Sequence, residues 1–258
     1  MTDDLGNDAV TTAMPARDVR CFPAMLSTEA EALSWARAGA KSGSLVVADY
    51  QASARGRSGW PWEIEAGRGI GFSVVLRPAI TNAREGWGYV AASMALADIV
   101  ADNATVEWPD TIEQSHKNPA AAVGIQVDPG VELVNWVVVT VLVNEASAPR
   151  AALLADCVKS IEHRMAQDPQ IVLAHYRERC TTLGRRVRAR LIPLSPGGPA
   201  IEGDAVDVLD DGALVLLTPR GNRVAIPPQN LGLLEEGGEP PTIPAIAKTS
   251  TPSSHDGS

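Results

Sequence analysis

Lysine is scarce in this 258-residue sequence: Lys41, Lys117, Lys159 and Lys248 stand beside eighteen arginines. Positive charge is short overall, with 22 basic against 31 acidic side chains and a formal net charge of −9. That balance argues against general binding to nucleic acid or to an anionic membrane, both of which need a positive face. It leaves room for a polyphosphate ligand, because a local arginine cluster overrules the global sign. Long apolar runs are missing too. The longest, at 136–143, falls well short of the roughly 20 residues of a membrane span. The first ten residues, MTDDLGNDAV, are too polar and acidic for a signal peptide. Cysteine is limited to Cys21, Cys157 and Cys180, odd in number and far apart, which fits neither a disulfide framework nor a zinc site. A cytoplasmic protein without membrane or nucleic-acid partners is the expectation.

What is present reads as an ordinary globular chain, 45% hydrophobic and 21% charged, enough for one sizeable domain and a small one. Residues 1–19 show no apolar periodicity and read as a disordered arm. Residues 235–258, rich in Pro, Ser, Gly and Thr, read as a disordered tail. Thr28-x-x-Glu31 is a capping box that predicts a helix to about Ala40. Strands are predicted at 44–49, 72–77, 105–108, 122–128 and 132–144, and a helix at 87–100. Leu153, Leu154, Cys157, Val158, Ile161 and Met165 make a helical stripe, and Pro169 opens a helix through about Cys180. From about Thr182 the period changes to four short strands at 185–191, 201–208, 213–218 and 222–226, the pattern of a small β-barrel. The fold class is α+β: a first domain over 20–182 and an all-β one over 183–234.

Directly after the 44–49 strand comes Gln51-Ala-Ser-Ala-Arg-Gly-Arg-Ser-Gly. Glycines let backbone N–H groups turn inward and paired arginines supply bidentate donors, a combination suited to a triphosphate or an acyl-adenylate. A Gly/Arg loop of this kind is also common as plain solvated surface.

The stretch 46–78, VVADYQASARGRSGWPW followed by GFSVVLRP, closely resembles the biotin–protein ligases, in which a Q-x-x-G-R-G-R-x-G loop precedes an F-S-V-x-L-R-P-like strand. The resemblance runs on in order. Ser27-Thr28 lies at T-G-S-T-N, Glu107-Trp108-Pro109-Asp110-Thr111 at K-W-P-N-D, Gly124-Ile125 at the end of K-x-x-G-I, and Asn144 at the end of G-I-G-I-N. His175-Tyr176-Arg177 and the D-D-G-A-L-V-L turn at 210–216 resemble the family's linker and C-terminal segment. The resemblance implies a biotin/lipoate-ligase-like catalytic domain, a mixed sheet with helices, followed by an SH3-like β-barrel and lacking a DNA-binding domain. It implies ATP, biotin and Mg2+, transfer of biotin to a lysine of a carboxylase's biotin carboxyl carrier domain, and allows a homodimer. By position it assigns Arg55 and Arg57 to catalysis. It assigns Ser27, Thr28, Gln51, Gly56, Trp108, Gly124 and Asn144 to binding of ligand and adenylate. No metal ligand is assigned, and His116, His163, His175 and His255 show no ligand spacing.

The departures gather at one place. Ala54 replaces the first loop glycine. Counting back three from Gly124 reaches Ala121 where the family has lysine; a fixed cation at a reacting anion is commonly worth about 3–4 kcal/mol. Lys117 lies four residues earlier, about 13 Å along a strand. Glu107 reverses the charge of another family lysine; Asp110 keeps a carboxylate able to meet magnesium, while Thr111 removes a second polar anchor. Thr140 and Leu142 replace the two glycines of G-I-G-I-N and are expected to crowd the biotin slot; Met25, Leu26 and Glu29 replace Thr, Gly and Asn of T-G-S-T-N. Arg55 and Arg57 lack an easy structural role. Three readings stay open: a ligase that adenylates biotin and transfers it, impaired by these changes; an inactive pseudo-ligase serving as a ligand- or protein-binding module; and activity on another acid or nucleotide, since a refilled slot fits a smaller or differently shaped acid.

Overall fold

A computed structural model of the chain describes residues 3–115, 118–146 and 149–238. Lys117, His116, Lys248, His255 and the tail from 239 onward lie outside the described residues. The first sheet has seven strands in the order β1-β2-β3-β7-β6-β5-β4. These are β1 (Val19–Phe22), β2 (Leu45–Ala48), β3 (Ile70–Leu76), β4 (Thr105–Glu107), β5 (Thr111–Ser115), β6 (Asn118–Pro129) and β7 (Val134–Val143). Only β1 and β2 run parallel; the other neighbours are antiparallel, so the sheet is mixed and the fold α+β. β5 was not predicted, because TIEQS mixes polar and apolar residues without clean alternation.

Helices cover both faces. α2 (Thr28–Arg37) lies on one, where Ala32, Ala36 and Ala40 pack on Val46, Val75, Trp136 and Val138. α3 (Trp87–Ala97), α4 (Arg150–Ala166) and α5 (Pro169–Arg179) contribute to the larger core on the other, with Val74, Val123, Val139 and Val141. Every residue of α3 is buried, which explains why WGYVAASMALA is apolar all round. Asp168 caps α5 by accepting from the Gln170 N–H at 2.8 Å, with Pro169 in the first turn.

The second sheet is antiparallel and has five strands in the order β11-β10-β9-β8-β12: β8 (Arg186–Leu191), β9 (Ala200–Val208), β10 (Leu214–Leu217), β11 (Arg223–Ile226) and β12 (Leu231–Glu236). β8 alternates Val187 and Ala189 inward with arginines outward; Arg186 pairs with Glu202 and Asp204 and Arg190 with Glu235. β12 is the strand that sequence periodicity missed, and it takes Glu235 and Glu236 from the expected tail.

Residues expected as a disordered arm are held in place wherever they are described. α1 (Asn7–Ala13) packs on α4, and Leu5, Val10 and Met14 are buried. Asp4 pairs at 2.7 Å with Arg150, whose side chain is 2% exposed and which also meets Asp49 at 2.6 Å. Three apolar side chains and one carboxylate, too few to form a pattern in sequence, suffice because a buried guanidinium needs counter-charge.

Candidate active site

The site lies on the α2 face of the first sheet. Because side chains alternate along strands, Gly71 and Ser73 of β3, Thr140 and Leu142 of β7, and Ala122 and Gly124 of β6 share that face: Gly71 pairs with Leu142, Ser73 with Thr140, Ala122 with Leu142 and Gly124 with Thr140. Ala121 points the other way, into the helix-side core, fully buried. Position 121, where the family lysine was counted, therefore does not face the site; the site-facing neighbour is Ala122.

Thr28 corrects the capping-box reading. The N-cap is Ser27, and its side chain makes no cap hydrogen bond. Thr28 is fully buried and points into the site: its backbone N–H and its hydroxyl donate to Gln51 Oε1 at 2.8 and 3.1 Å. The Ser73 hydroxyl lies 3.0 Å from Thr28 Oγ1 and 2.8 Å from Thr140 Oγ1. A continuous polar line, Gln51–Thr28–Ser73–Thr140, thus crosses the floor. The Gln51 side-chain nitrogen is buried without a hydrogen-bond partner among the described residues and rests on Gly71, where any Cβ would collide with it. Leu142 and Thr140 are 0% and 1% exposed, so both expected intruders occupy the floor, one as packed hydrocarbon and one as a member of the polar line.

The Gly/Arg loop closes over this floor, and its arginines prove to have structural partners. Arg57 pairs with Asp110 at 3.1 Å, both side chains 10% exposed. It also donates from Nη1 to the Leu231 carbonyl at the start of β12. Ser58 donates to the same carbonyl at 3.0 Å, and Trp60 Nε1 to the Gly232 carbonyl at 2.9 Å. Arg55 stays within the loop, donating to the Gly59 carbonyl at 2.8 Å and to Ser53 at 3.1 Å. Ala54 is buried and has no positive φ; the loop's left-handed residues are Ser58 and Gly59, so the missing glycine costs no strain. Trp62 Nε1 donates to Asn144 Oδ1 at 2.6 Å and Asn144 Nδ2 to the Pro119 carbonyl at 2.8 Å. Asn144 is thus a hinge post for the loop.

Between loop, β5–β6 and β12 lies a cavity of about 200 Å³, lined by Gly56, Arg57, Trp60, Trp62, Asp110 and Ala122 among others. That is smaller than the roughly 300–1,000 Å³ of drug-sized ligand sites. Trp108 forms part of its wall, but the indole is 2% exposed and donates to the Gly212 carbonyl at 2.9 Å, so it mainly joins the two sheets. Burial raises the Asp110 carboxyl to about 6, against the pull of Arg57, with Glu107 adding to the rise. Tyr89, fully enclosed, is pushed above its ordinary value by burial and then by Asp110, while Arg57 opposes. Glu107 is drawn toward Arg185 at 3.7 Å.

Ser73, Trp60 and Trp62 belong to the site and were not singled out in sequence. The two tryptophans carried a signal, since aromatic residues in a polar loop need a reason; Ser73 carried none, and Tyr89 packs in the core on the other face. Arg57 engages Asp110, and no group of three His, Cys, Asp or Glu side chains gathers to hold a metal among the described residues. Nor, among them, is any helix long and apolar enough to cross a membrane.

The fold that carries this arrangement is that of the biotin protein ligases. The enzyme of Aquifex aeolicus, solved with biotin and ATP, superposes with a TM-score of 0.65 at 19% identity over 85% of this chain and 99% of that one. The biotin acetyl coenzyme A carboxylase synthetase of Helicobacter pylori, solved with biotinylated ATP, gives 0.58 at 17% identity over 80% and 98%. A biotin protein ligase-like protein of unknown function from Silicibacter gives 0.61 at 12% over 83% and 96%. No family model matches the chain. In sequence it is 31% identical over 216 residues to the biotin--[acetyl-CoA-carboxylase] ligase of Mycobacterium tuberculosis, covering 74% of this chain and 79% of that protein. The chain belongs to the biotin--[acetyl-CoA-carboxylase] ligase family.

Proposed function

We propose that the protein is an ATP-dependent ligase that adenylates biotin and transfers it to the lysine of a carrier domain, with a slowed first step. In that step a carboxylate oxygen of the acid attacks the α-phosphorus of ATP and pyrophosphate leaves. In the second, the neutral amine of the carrier lysine attacks the acyl carbon and AMP leaves. The observation that carries the reading is the polar line from Gln51 to Thr140, with its buried and unmet Gln51 amide. An unsatisfied buried donor costs about 1–3 kcal/mol, a cost that a ligand carbonyl at this floor relieves.

The slowing follows from charge. Arg57 is the cation of the closed cavity, and Asp110 and the Leu231 carbonyl already hold it. To serve an anionic transition state it must exchange these partners, so part of its stabilising effect is offset before reaction. Arg55 is tied to its own loop and serves loop shape. Thr28 and Gln51 orient the acid, Gly56 and Gly124 leave it room, and Ser27 starts the helix that presents Thr28. Cys21, Cys157 and Cys180 are free thiols, as suits a reducing cytoplasm.

The second reading, a binding module without catalysis, is favoured by the same Arg57 engagement and by the buried Leu142. One experiment separates them. The protein is incubated with ATP, magnesium, biotin and an apo biotin carrier domain, and the carrier is weighed by mass spectrometry. The ligase reading expects one biotinoyl group on one lysine, absent without ATP. An unmodified carrier after long incubation supports the binding module instead.

A further inference from the structure

The ladder between β2 and β3 ends at the pair Ala48–Gly71, and the Gly/Arg loop runs on from there over 50–68. Past the last pair, both limbs of the loop meet one guanidinium. Arg150, the first residue of α4, is buried and donates from Nη1 to Asp49 Oδ1 at 2.6 Å and to the Gly69 carbonyl at 3.2 Å. Asp49 Oδ1 also accepts the Gly67 N–H at 3.3 Å, so this carboxylate ties the outgoing limb to the returning one. The returning limb is hemmed in from behind. There the Arg68 carbonyl accepts the Ala146 N–H at 2.9 Å, and a Cβ at Gly69 would sit 2.6 Å from the Val143 carbonyl. The far side of Arg150 is taken by Asp4, which accepts from Nε and Nη2 at 2.9 and 2.7 Å and from the Arg150 backbone N–H at 3.2 Å.

A buried ion pair is seldom a net gain in stability, since desolvation of the charges offsets their attraction. Anchoring α1 is therefore a poor reason by itself for an arginine here. What a planar guanidinium adds is fixed direction, because its N–H groups reach several acceptors at once in one geometry. We propose that Arg150 is a positioning residue for adenylation: it fixes the base of the Gly/Arg loop and so the placing of Arg57, and through Asp4 it makes the N-terminal segment part of that support. This rests on the ligase reading and deepens it. When Arg57 leaves Asp110 and the Leu231 carbonyl to meet a nucleotide, the base of the loop is what still holds it over the site. The polar floor is held separately, from the α2 side. Met25 exchanges backbone hydrogen bonds with Tyr50 and Ala52 at 3.0 and 2.9 Å, and Gln51 Oε1 accepts from Thr28. Loosening Arg150 therefore acts on ATP and spares biotin.

Three measurements on the full chain test it: biotin-dependent pyrophosphate exchange with ATP varied, calorimetry with biotin, and tryptic cleavage. They compare wild type with Arg150→Lys, Asp49→Ala and Asp49→Asn. A lysine ammonium meets one carboxylate but does not span Asp4, Asp49 and the Gly69 carbonyl together. Arg150→Lys and Asp49→Ala are each expected to raise the KM for ATP about tenfold or more, the scale of one lost charge-assisted hydrogen bond. Biotin affinity stays unchanged in both. Cleavage after Arg68 becomes faster while cleavage after Arg37, at the end of α2, does not, the mark of local rather than global opening. Asp49→Asn, which keeps an acceptor oxygen, recovers most of the ATP affinity. If Arg150→Lys fails to fold, the two Asp49 variants carry the comparison, since Asp4 still meets Arg150 in them. A lowered urea midpoint with the KM for ATP and the Arg68 cleavage unchanged overturns the proposal and leaves the ligase reading standing. An equal loss of ATP and biotin affinity also overturns it, and a wild type without exchange overturns both.

Discussion

Arg57 and Asp110, 53 positions apart in sequence, meet at 3.1 Å with nine-tenths of each side chain buried. The pair joins the loop to the start of β5, and the Leu231 carbonyl extends the contact to the second sheet. It holds the loop closed over the floor, with a carboxylate already set against the arginine of the cavity.

The Asp110 carboxyl, raised from 3.8 to about 6 by burial, gives stability a pH dependence of known sign. Between these values the unfolded state has released this proton and the folded state still holds it. Stability from this group is therefore present below about pH 4 and lost as pH rises toward 6, by on the order of 2–3 kcal/mol. Asp4 titrates in the opposite sense, so the measurement is a difference. Urea unfolding of wild type and Asp110→Asn from pH 4 to 7 should show wild type losing stability relative to the variant across that window. Parallel curves would show that Arg57 fully compensates the burial.

The faces of β6 predict where a lysine helps. Ala122 lines the cavity and Ala121 packs in the core. Ala122→Lys should bring a cation to the cavity and raise the adenylation rate about tenfold or more, since one such donor is worth about 3–4 kcal/mol when well placed. Ala121→Lys should instead cost several kcal/mol of stability by burying a charge. Comparison of adenylation rates and urea midpoints for the two variants checks both. A gain at 121 with no loss of stability would mean that the strand register shifts when ligand binds.

The N-terminal segment contributes to stability through Asp4. Its carboxyl is held below the ordinary range chiefly by its hydrogen bond to Arg150. A lowered carboxylate stabilises above its unfolded value and loses that contribution as pH falls. Asp4→Asn should destabilise by about 1–3 kcal/mol at neutral pH, limited because Asp49 still meets Arg150, and the deficit should shrink as pH falls below the ordinary carboxylate range. Thermal unfolding across that range decides it. Because Arg150 also donates to the Gly69 carbonyl at 3.2 Å, at the far end of the loop, the same variant should raise protease sensitivity between 50 and 70.

Local signals carried much of the fold. The β-branched strands 44–49 and 72–77, the all-apolar α3 and the Pro169 helix start were readable because each is set by its own residues. Motif order placed the Gly/Arg loop and Thr28 together in sequence, and the fold brings both to the same face of the first sheet. Facing was not: Ala121 was counted into the site by motif spacing, whereas three steps along an unbroken strand reverse the side. Long-range pairing was hidden as well. Nothing near Arg57 announces Asp110 or Leu231, and nothing near Asp4 announces Arg150, 146 positions away. Thr28 had a local explanation as a helix cap, and only the position of Gln51 Oε1 shows that it is bonded inward instead.

Biotin-dependent exchange of pyrophosphate into ATP by the purified chain tests the central claim most directly. The account predicts exchange that is slow but above background, lost without biotin and abolished by Arg57→Ala, while Arg55→Ala retains most of it. Absence of exchange, together with absence of calorimetric binding of biotin and ATP, would contradict it.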